Sequence, residues 1–320
     1  LAFRDNRHGN WEIFLARLNA AGVKLAPEIR ITNNSSYSAS PSLVWTGNGY
    51  GLTWNDIPES DWEVYFVGLD ANGATVTPER RVTDVEAASW YPSLAWTGTL
   101  FGLVWRDERN DAGDIYFITL DAAGLPLTAE ERITDDAGTS QLPRLAWQGR
   151  RFSAVWYDNR DGNNELYIDR LTDYGTEVFE ERRLTADAGD SRAPSVVWTG
   201  EVPAVAWSDF RAGDWEIHLG RVPCCPNLDG DPDSVCTGDT NDGNPFIGPS
   251  EDERCDGMDT DADGLVDEVC DGFCDAWQNG NAGTRVTDAA GSSTAVDLFW
   301  IGTNAHLLAW QDDRDGDNEV

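Results

Sequence analysis

The chain has 320 residues, 40% of them hydrophobic, and a formal net charge of −34 from 57 acidic and 23 basic side chains. That apolar content is enough for a real core, which excludes a disordered chain, and the acidic surface repels nucleic acid and anionic membranes while suiting cations. No apolar run approaches the length of a membrane-crossing helix and no signal peptide is visible, so no membrane insertion is expected of this segment.

The first residues, Leu1-Ala2-Phe3, read as the inside of a second strand, and the last, Glu319-Val320, as the inside of a third. The chain is therefore expected to be a segment of a longer protein with further repeat units outside it. The Asp of a W-x-D element falls at Asp5 (after Phe3), Asp56, Asp107, Asp158 and Asp209, each 51 residues after the last; Asp312 follows 103 residues later. An R-x-T element keeps step at Arg30, Arg81, Arg132, Arg183 and Arg285, and P-x-x-x-W at Pro41, Pro92, Pro143 and Pro194. The unit from Tyr91 to Gly124 holds three alternating runs, SLAW, FGLVW and DIYFITL, and a fourth run, EERIT, closes it. Period-2 alternation bounded by Gly, Asp and Asn is a strand signal.

Four strands in about 50 residues fit one blade of a β-propeller, and a blade cannot bury both faces of its sheet without neighbours. The predicted fold class is all-β, a β-propeller of four-stranded blades interrupted by a cysteine-rich, Asp-rich insert; a solenoid of β-hairpins is the alternative. After a partial first unit, blades are expected from about Ser40 to Ala88, Tyr91 to Thr139 and Leu142 to Asp190, with a fifth from Ala193 that breaks off at Val222. Trp207 lies 78 residues from Arg285, where other units use 27, so the insert adds 51 residues between strands c and d. The predicted domains are 1–222 (blades), 223–281 (insert) and 282–320 (blades continued). Up-and-down strand order puts b–c and d–a loops on one face, with the insert on the other.

The segments DNRHGNWEIFLARLNAAG (Asp5 to Gly22) and DNRDGNNELYIDRLTDYG (Asp158 to Gly175) resemble the b–c hairpin of the TolB-type propeller repeat, roughly S-D-R-D-G-N-x-E-I-Y. The repeat here is longer and lacks that family's S-P-D-G turn. The resemblance implies the fold and says little about function.

All six cysteines (Cys224, Cys225, Cys236, Cys255, Cys270, Cys274) lie in the insert. Their even number argues for disulfides and an oxidising compartment; a cysteine-ligated zinc site is the rival. DTDADGLVDE places Asp259, Asp261 and Asp263 at positions 1, 3 and 5 of an EF-hand-like loop, Gly264 at 6, the Leu265 carbonyl at 7 and Asp267 at 9. Position 12 is Cys270, so Glu268 or an outside carboxylate must complete the shell. Asp229, Asp231 and Asp233 repeat the alternation with the Gly displaced, and Asp239, Asn241 and Asp242 form a weaker run. Hard oxygens select Ca²⁺, the expected cofactor; a solvated acidic linker is the bland reading. Between Pro223 and Asn281 there are sixteen acids and one base, a repulsion that bound cations would relieve.

GDTNDGNPFIGPSEDERCDGMDTDADGLVDE resembles the MopE-type metal-binding repeat of secreted bacterial proteins, with Pro245, Pro249, Glu253 and Cys255-Asp256-Gly257 in place. Thr240 and Ala262 stand where that family has cysteines; if those two pair with each other, their joint absence is one lost disulfide. The family is associated with copper, against which the oxygen ligands here argue. The resemblance implies an extracellular or cell-surface location.

D-x-R pairs occur at Asp5/Arg7, Asp107/Arg109, Asp158/Arg160, Asp209/Arg211 and Asp312/Arg314, whereas the second unit reads Asp56-Ile57-Pro58. A Ser recurs in the d–a loops at Ser38, Ser89, Ser140, Ser191 and Ser293. Each Asp is expected to bond loop amides or the Ser, and each Arg to bridge toward a neighbouring blade; repeated shallow ligand sites are the alternative. Ten tryptophans on strands a and b, among them Trp45, Trp96, Trp147, Trp54, Trp105 and Trp156, are expected between sheets, and Trp11, Trp62 and Trp215 at sheet edges or on a sugar ring. No catalytic or organic-cofactor residues are predicted, since the three histidines have no triad or metal spacing. The expected function is non-enzymatic binding of a protein or glycan at the cell surface; a lectin-like or glycoside-cleaving propeller is the alternative.

Overall fold

A computed structural model describes residues 1–58, 61–110, 113–175, 181–200, 202–222, 284–287, 292–300 and 306–312. The chain is all-β over these residues and divides into two compact units, Leu1–Trp147 with Trp156–Gly162 and Asp173–Thr176, and Gln148–Val155 with Asn163–Thr172 and Glu177–Val320.

In the first unit, β1 (Ala2–Asp5), β2 (Glu12–Leu15) and β3 (Ile29–Arg30) form a three-stranded sheet. Next come the four-stranded sheets β4 (Ser38–Trp45), β5 (Gly49–Asp56), β6 (Glu63–Asp70), β7 (Arg80–Arg81), and β8 (Ser89–Trp96), β9 (Phe101–Asp107), β10 (Asp114–Leu120), β11 (Glu131–Arg132). A fourth sheet, whose strands fall partly in each unit, runs β12 (Gln141–Trp147), β13 (Phe152–Asp158), β14 (Glu165–Leu171), β15 (Arg182–Arg183). The second unit holds β16 (Ser191–Trp198), β17 (Pro203–Asp209), β18 (Glu216–Arg221) and β19 (Thr284–Arg285), then the pair β20 (Ser293–Trp300) and β21 (His306–Asp312). Strand order follows chain order, the up-and-down antiparallel pattern of a propeller blade. The third strand meets the short fourth in one register throughout: Phe14↔Arg30, Tyr65↔Arg81, Tyr116↔Arg132, Tyr167↔Arg183 and His218↔Arg285.

Strands β9 and β10 are buried on both faces along nearly their whole length, which requires a neighbour on each side. Ile13 and Leu15 of the first sheet pack with Leu52, Trp54, Val67 and Leu69 of the second. Val64 and Phe66 pack with Leu103 and Trp105 of the third, and Ala204, Ala206 and Ile217 pack with Val296 and Leu298 in the second unit. Sheets stack face to face, as the inability of one blade to bury itself demands.

Each first strand begins at or just after the recurring Ser position, one or two residues earlier than the hydrophobic pattern suggests. The residues that pattern marks as starts, Ser40, Tyr91, Leu142 and Ala193, have φ near +50°. The second, third and fifth sheets shift register there: Ala39/Ser42, Trp90/Ser93 and Arg192/Ser195 bracket the bulges. An extra residue immediately before proline interrupts the period-2 pattern without ending the strand. The bulged strand also joins sheets, because Ser42 Oγ accepts the Leu94 amide, Ser93 Oγ the Leu145 amide and Ser195 Oγ the Leu298 amide, each at 3.1 Å.

The tryptophans divide by strand. Trp54, Trp105, Trp156 and Trp207 on second strands are fully buried between sheets. First-strand tryptophans are not: Trp45 is 49% exposed, and Trp96, Trp147 and Trp198 are half-buried. They end their strands beside the tight Gly turn, where burial is only partial; Trp96 still packs against the core cluster.

Candidate functional site

Two polar clusters recur on these sheets. At the start of each third strand an acid faces the R-x-T run. Arg and Thr are two residues apart and so share a face of the fourth strand. Thr32, Thr83, Thr134, Thr185 and Thr287 donate through their hydroxyls to Glu12, Glu63, Asp114, Glu165 and Glu216. The same hydroxyls accept the amides of Ile13, Val64, Ile115, Leu166 and Ile217 at 2.8–2.9 Å. Arg30 and Arg183 pair with Glu12 and Glu165 at 2.7 and 2.9 Å, and Arg81 and Arg285 pair with Glu63 and Glu216. Asp114, one methylene shorter, sits 3.3 Å from Thr134. Burial pushes Glu12, Glu63 and Glu165 up; bonds from Thr32, Arg30 and Asn10 overcome it at Glu12, which ends lowered, while Glu63 and Glu165 remain raised. The signal for this bond was in the sequence, as an acid at 51-residue intervals in step with R-x-T.

The second cluster is the D-x-R loop. Oδ1 of Asp5, Asp107, Asp158 and Asp209 accepts the amide two residues on, at 2.7, 3.0, 2.7 and 2.9 Å. Oδ2 of Asp107, Asp158 and Asp209 accepts the hydroxyl of Ser89, Ser140 and Ser191 at 3.1, 2.7 and 3.1 Å. Trp105 and Trp207 add Nε1 donors to Asp107 and Asp209 at 3.0 and 2.9 Å. Each Arg returns to its own Asp: Arg109 at 2.6 Å, Arg160 at 3.0 Å and Arg211 at 2.5 Å. Burial pushes Asp107, Asp158 and Asp209 up, but the arginine bonds win and leave all three lowered. Bonds from Arg7 hold the half-buried Asp5 down at about 2.

The other end of each guanidinium reaches a second carboxylate. Arg160 and Arg211 reach Asp136 and Asp187 in the preceding d–a loops, the latter at 2.9 Å, as expected of a bridge toward a neighbour. Arg109 lies over the Tyr116 ring, 4.3 Å from its centroid, and pairs with Glu130 of its own sheet at 2.6 Å. Arg7 does the same over Phe14, at 4.7 Å, to Glu28. The residue equivalent to Asp136 and Asp187 is Val85 for Arg109, which offers no charge. Arg109 therefore takes the carboxylate that remains.

Trp11, Trp62 and Trp215 have intramolecular partners. Arg4 lies over Trp11 at 4.9 Å, Trp62 meets Trp90 at 4.8 Å, and Trp215 meets Phe210 at 5.2 Å and Arg192 at 5.4 Å. This is edge packing. The calcium ligands predicted above, Asp259, Asp261, Asp263, Leu265, Asp267, Glu268, Asp229, Asp231 and Asp233, lie outside the described residues, as do the six cysteines. Among the described residues no group of three His, Cys, Asp or Glu side chains gathers in metal-binding geometry.

No protein-family model matches this sequence, and no curated protein sequence matches it. Among solved structures, similarity extends to a TolB-like protein from Agrobacterium tumefaciens (18% identity, TM-score 0.46, 69% of this chain and 76% of that one). A GH43 endo-arabinanase from Bacillus licheniformis is similar at 12% identity and TM-score 0.41, over 69% of this chain and 92% of that one. Prolyl oligopeptidase B from Galerina marginata is similar at 13% identity and TM-score 0.44, over 69% and 30%.

Proposed function

We propose that this chain is part of a TolB-like β-propeller that serves as a non-enzymatic binding scaffold outside the cell. In this reading residues 223–281 form a calcium-binding, disulfide-bonded module of the MopE type between strands c and d, with 1–222 and 282–320 as blades. The observation that carries the scaffold reading is how the recurring charges are used. The acid–Thr–Arg cluster recurs in five sheets and the Asp–Ser–Arg cluster in three, and both bond inward, tying strand d to strand c and loop to loop. A reaction centre needs its groups once, whereas a structural clamp is needed in every repeat.

For the calcium module, the support is the donor set: carboxylates at Asp259, Asp261, Asp263 and Asp267 with a glycine between, suited to a hard cation. A protein or glycan at the cell surface is the proposed partner. Calorimetric titration with Ca²⁺, run beside thermal melts in chelator, tests the module. Saturable binding that Asp261→Ala abolishes, with a lower melting temperature in chelator, supports it. No heat of binding and an unchanged melt would remove calcium from the proposal.

A further inference from the structure

The second sheet breaks the D-x-R rule, and what it leaves behind is informative. Pro58 stands where Arg109, Arg160 and Arg211 stand elsewhere, so both the guanidinium and the backbone N–H that Asp Oδ1 normally accepts are gone. Asp56 is retained and is only 3% exposed. Its Oδ2 accepts Ser38 Oγ at 2.7 Å and Asn34 Nδ2 at 3.1 Å. Its Oδ1 is buried without a hydrogen-bond partner. In the third and fifth sheets that same Oδ1 takes the arginine Nε, at 2.8 and 2.7 Å.

The two other walls of the arginine slot are also in place. Tyr65 is equivalent to Phe14 and Tyr116, the rings on which Arg7 and Arg109 lie. Phe14 and Tyr116 are 3% and 6% exposed, whereas Tyr65, without an arginine above it, is half-buried. Glu79 is equivalent to Glu28 and Glu130, the carboxylates that hold the far side of Arg7 and Arg109. Among the described residues Glu79 has no ion pair. Glu79 is exposed, and partial desolvation together with the nearby Asp56 charge pushes its carboxyl up. A buried carboxylate oxygen without a donor costs free energy that a planar, multi-donor cation would recover.

We propose that Asp56, the face of Tyr65 and Glu79 form a binding site for a guanidinium group supplied from outside the sheet, either an arginine side chain of a partner polypeptide or a free guanidine. The internal arginines supply the binding mode: Nε and one Nη on the aspartate, the plane over the ring, the other Nη on the glutamate. Lysine presents a point charge without that fork and cannot satisfy both acids in plane.

The test is calorimetric titration of the whole chain with N-acetylarginine amide and with a Gly-Arg-Gly peptide. The lysine analogues serve as comparators, and every run is made both in excess calcium and in chelator. The arginine compounds are expected to saturate and to bind at least about tenfold more tightly than the lysine compounds. Pro58→Arg refills the slot from within and is expected to lose the binding at least about tenfold while melting higher than the parent. A peptide about tenfold tighter than the amide identifies a polypeptide source, and equal affinities a free guanidine. No saturable arginine binding, equal lysine binding, or undiminished binding by Pro58→Arg would overturn the site. Because this readout does not require calcium, its failure is distinct from failure of the calcium module.

Discussion

Thr287 donates its hydroxyl to Glu216 across 71 residues of chain, in the same register in which Thr185 donates to Glu165 across 20. The strand just before Thr287 pairs through His218↔Arg285 just as the fourth sheet pairs through Tyr167↔Arg183. The acid–Thr–Arg clamp therefore recognises its partner by local geometry and not by loop length. Loop closure cost grows only slowly with length, so a long connection does not forbid the pairing. Thr287→Val is expected to destabilise the chain by about 1–3 kcal/mol, because it removes one donor from the buried Glu216 and leaves the Ile217 amide without its acceptor. Urea denaturation of the variant beside the parent measures it.

Gly124 supplies a cleaner test of sheet stacking. It turns the chain at φ +78°, and a Cβ there would lie 2.2 Å from Phe66 of the preceding sheet. Gly22 has φ +74° and nothing within 4 Å. Gly22→Ala should cost about 1 kcal/mol from backbone strain alone. Gly124→Ala should cost that plus about 1–3 kcal/mol of overpacking. Equal losses in chemical denaturation would mean that the sheets do not meet at this turn.

The choice made by Arg109 can be redirected. A double-mutant cycle on Arg109 and Glu130 should show coupling of about 0.5–1 kcal/mol in the parent chain. In a Val85→Asp background the same cycle should fall toward zero, as the guanidinium is drawn to the loop acid that Arg160 and Arg211 use. Coupling that survives intact would show that the Tyr116 ring, and not the carboxylate, holds Arg109 in place.

Asp107 accepts from Ser89, Trp105 and Arg109 while buried. Asp107→Ala should cost about 3 kcal/mol or more, since three donors lose one acceptor together. Thermal and urea unfolding of the variant report this loss directly.

Acid stability follows from the two kinds of acid. Asp107, Asp158 and Asp209 are lowered in the fold, so their contribution is complete above the unfolded aspartate value of about 4 and is lost as pH falls through their folded values. Glu63 and Glu165 are raised, so the fold binds their protons more readily than the unfolded chain does and gains stability as pH falls toward about 4. Melting temperature should hold level or rise slightly from neutral pH to about 5, then drop steeply below about 4. A monotonic fall beginning at neutral pH would show that the raised glutamates have no net effect.

The repeat, its length, the strand count of each unit and the burial of second-strand tryptophans were legible in the sequence because period-2 alternation and a 51-residue recurrence are local and additive signals. Pairing of the R-x-T threonine with the acid that opens the third strand was equally periodic, although only the register of the two strands joins them. Other features were decided by tertiary structure alone. Trp45 and Trp54 have the same residue type on adjacent strands, yet one lies at an uncovered rim and the other between sheets. Which carboxylate each arginine takes depends on a side chain in a different loop, Val85, Asp136 or Asp187, that no local pattern connects to it. Likewise, Pro58 reads in the sequence as a lapsed repeat. In the fold it leaves an unpartnered Asp56 oxygen and a half-buried Tyr65 ring, because burial and hydrogen-bond satisfaction are properties of neighbours in space.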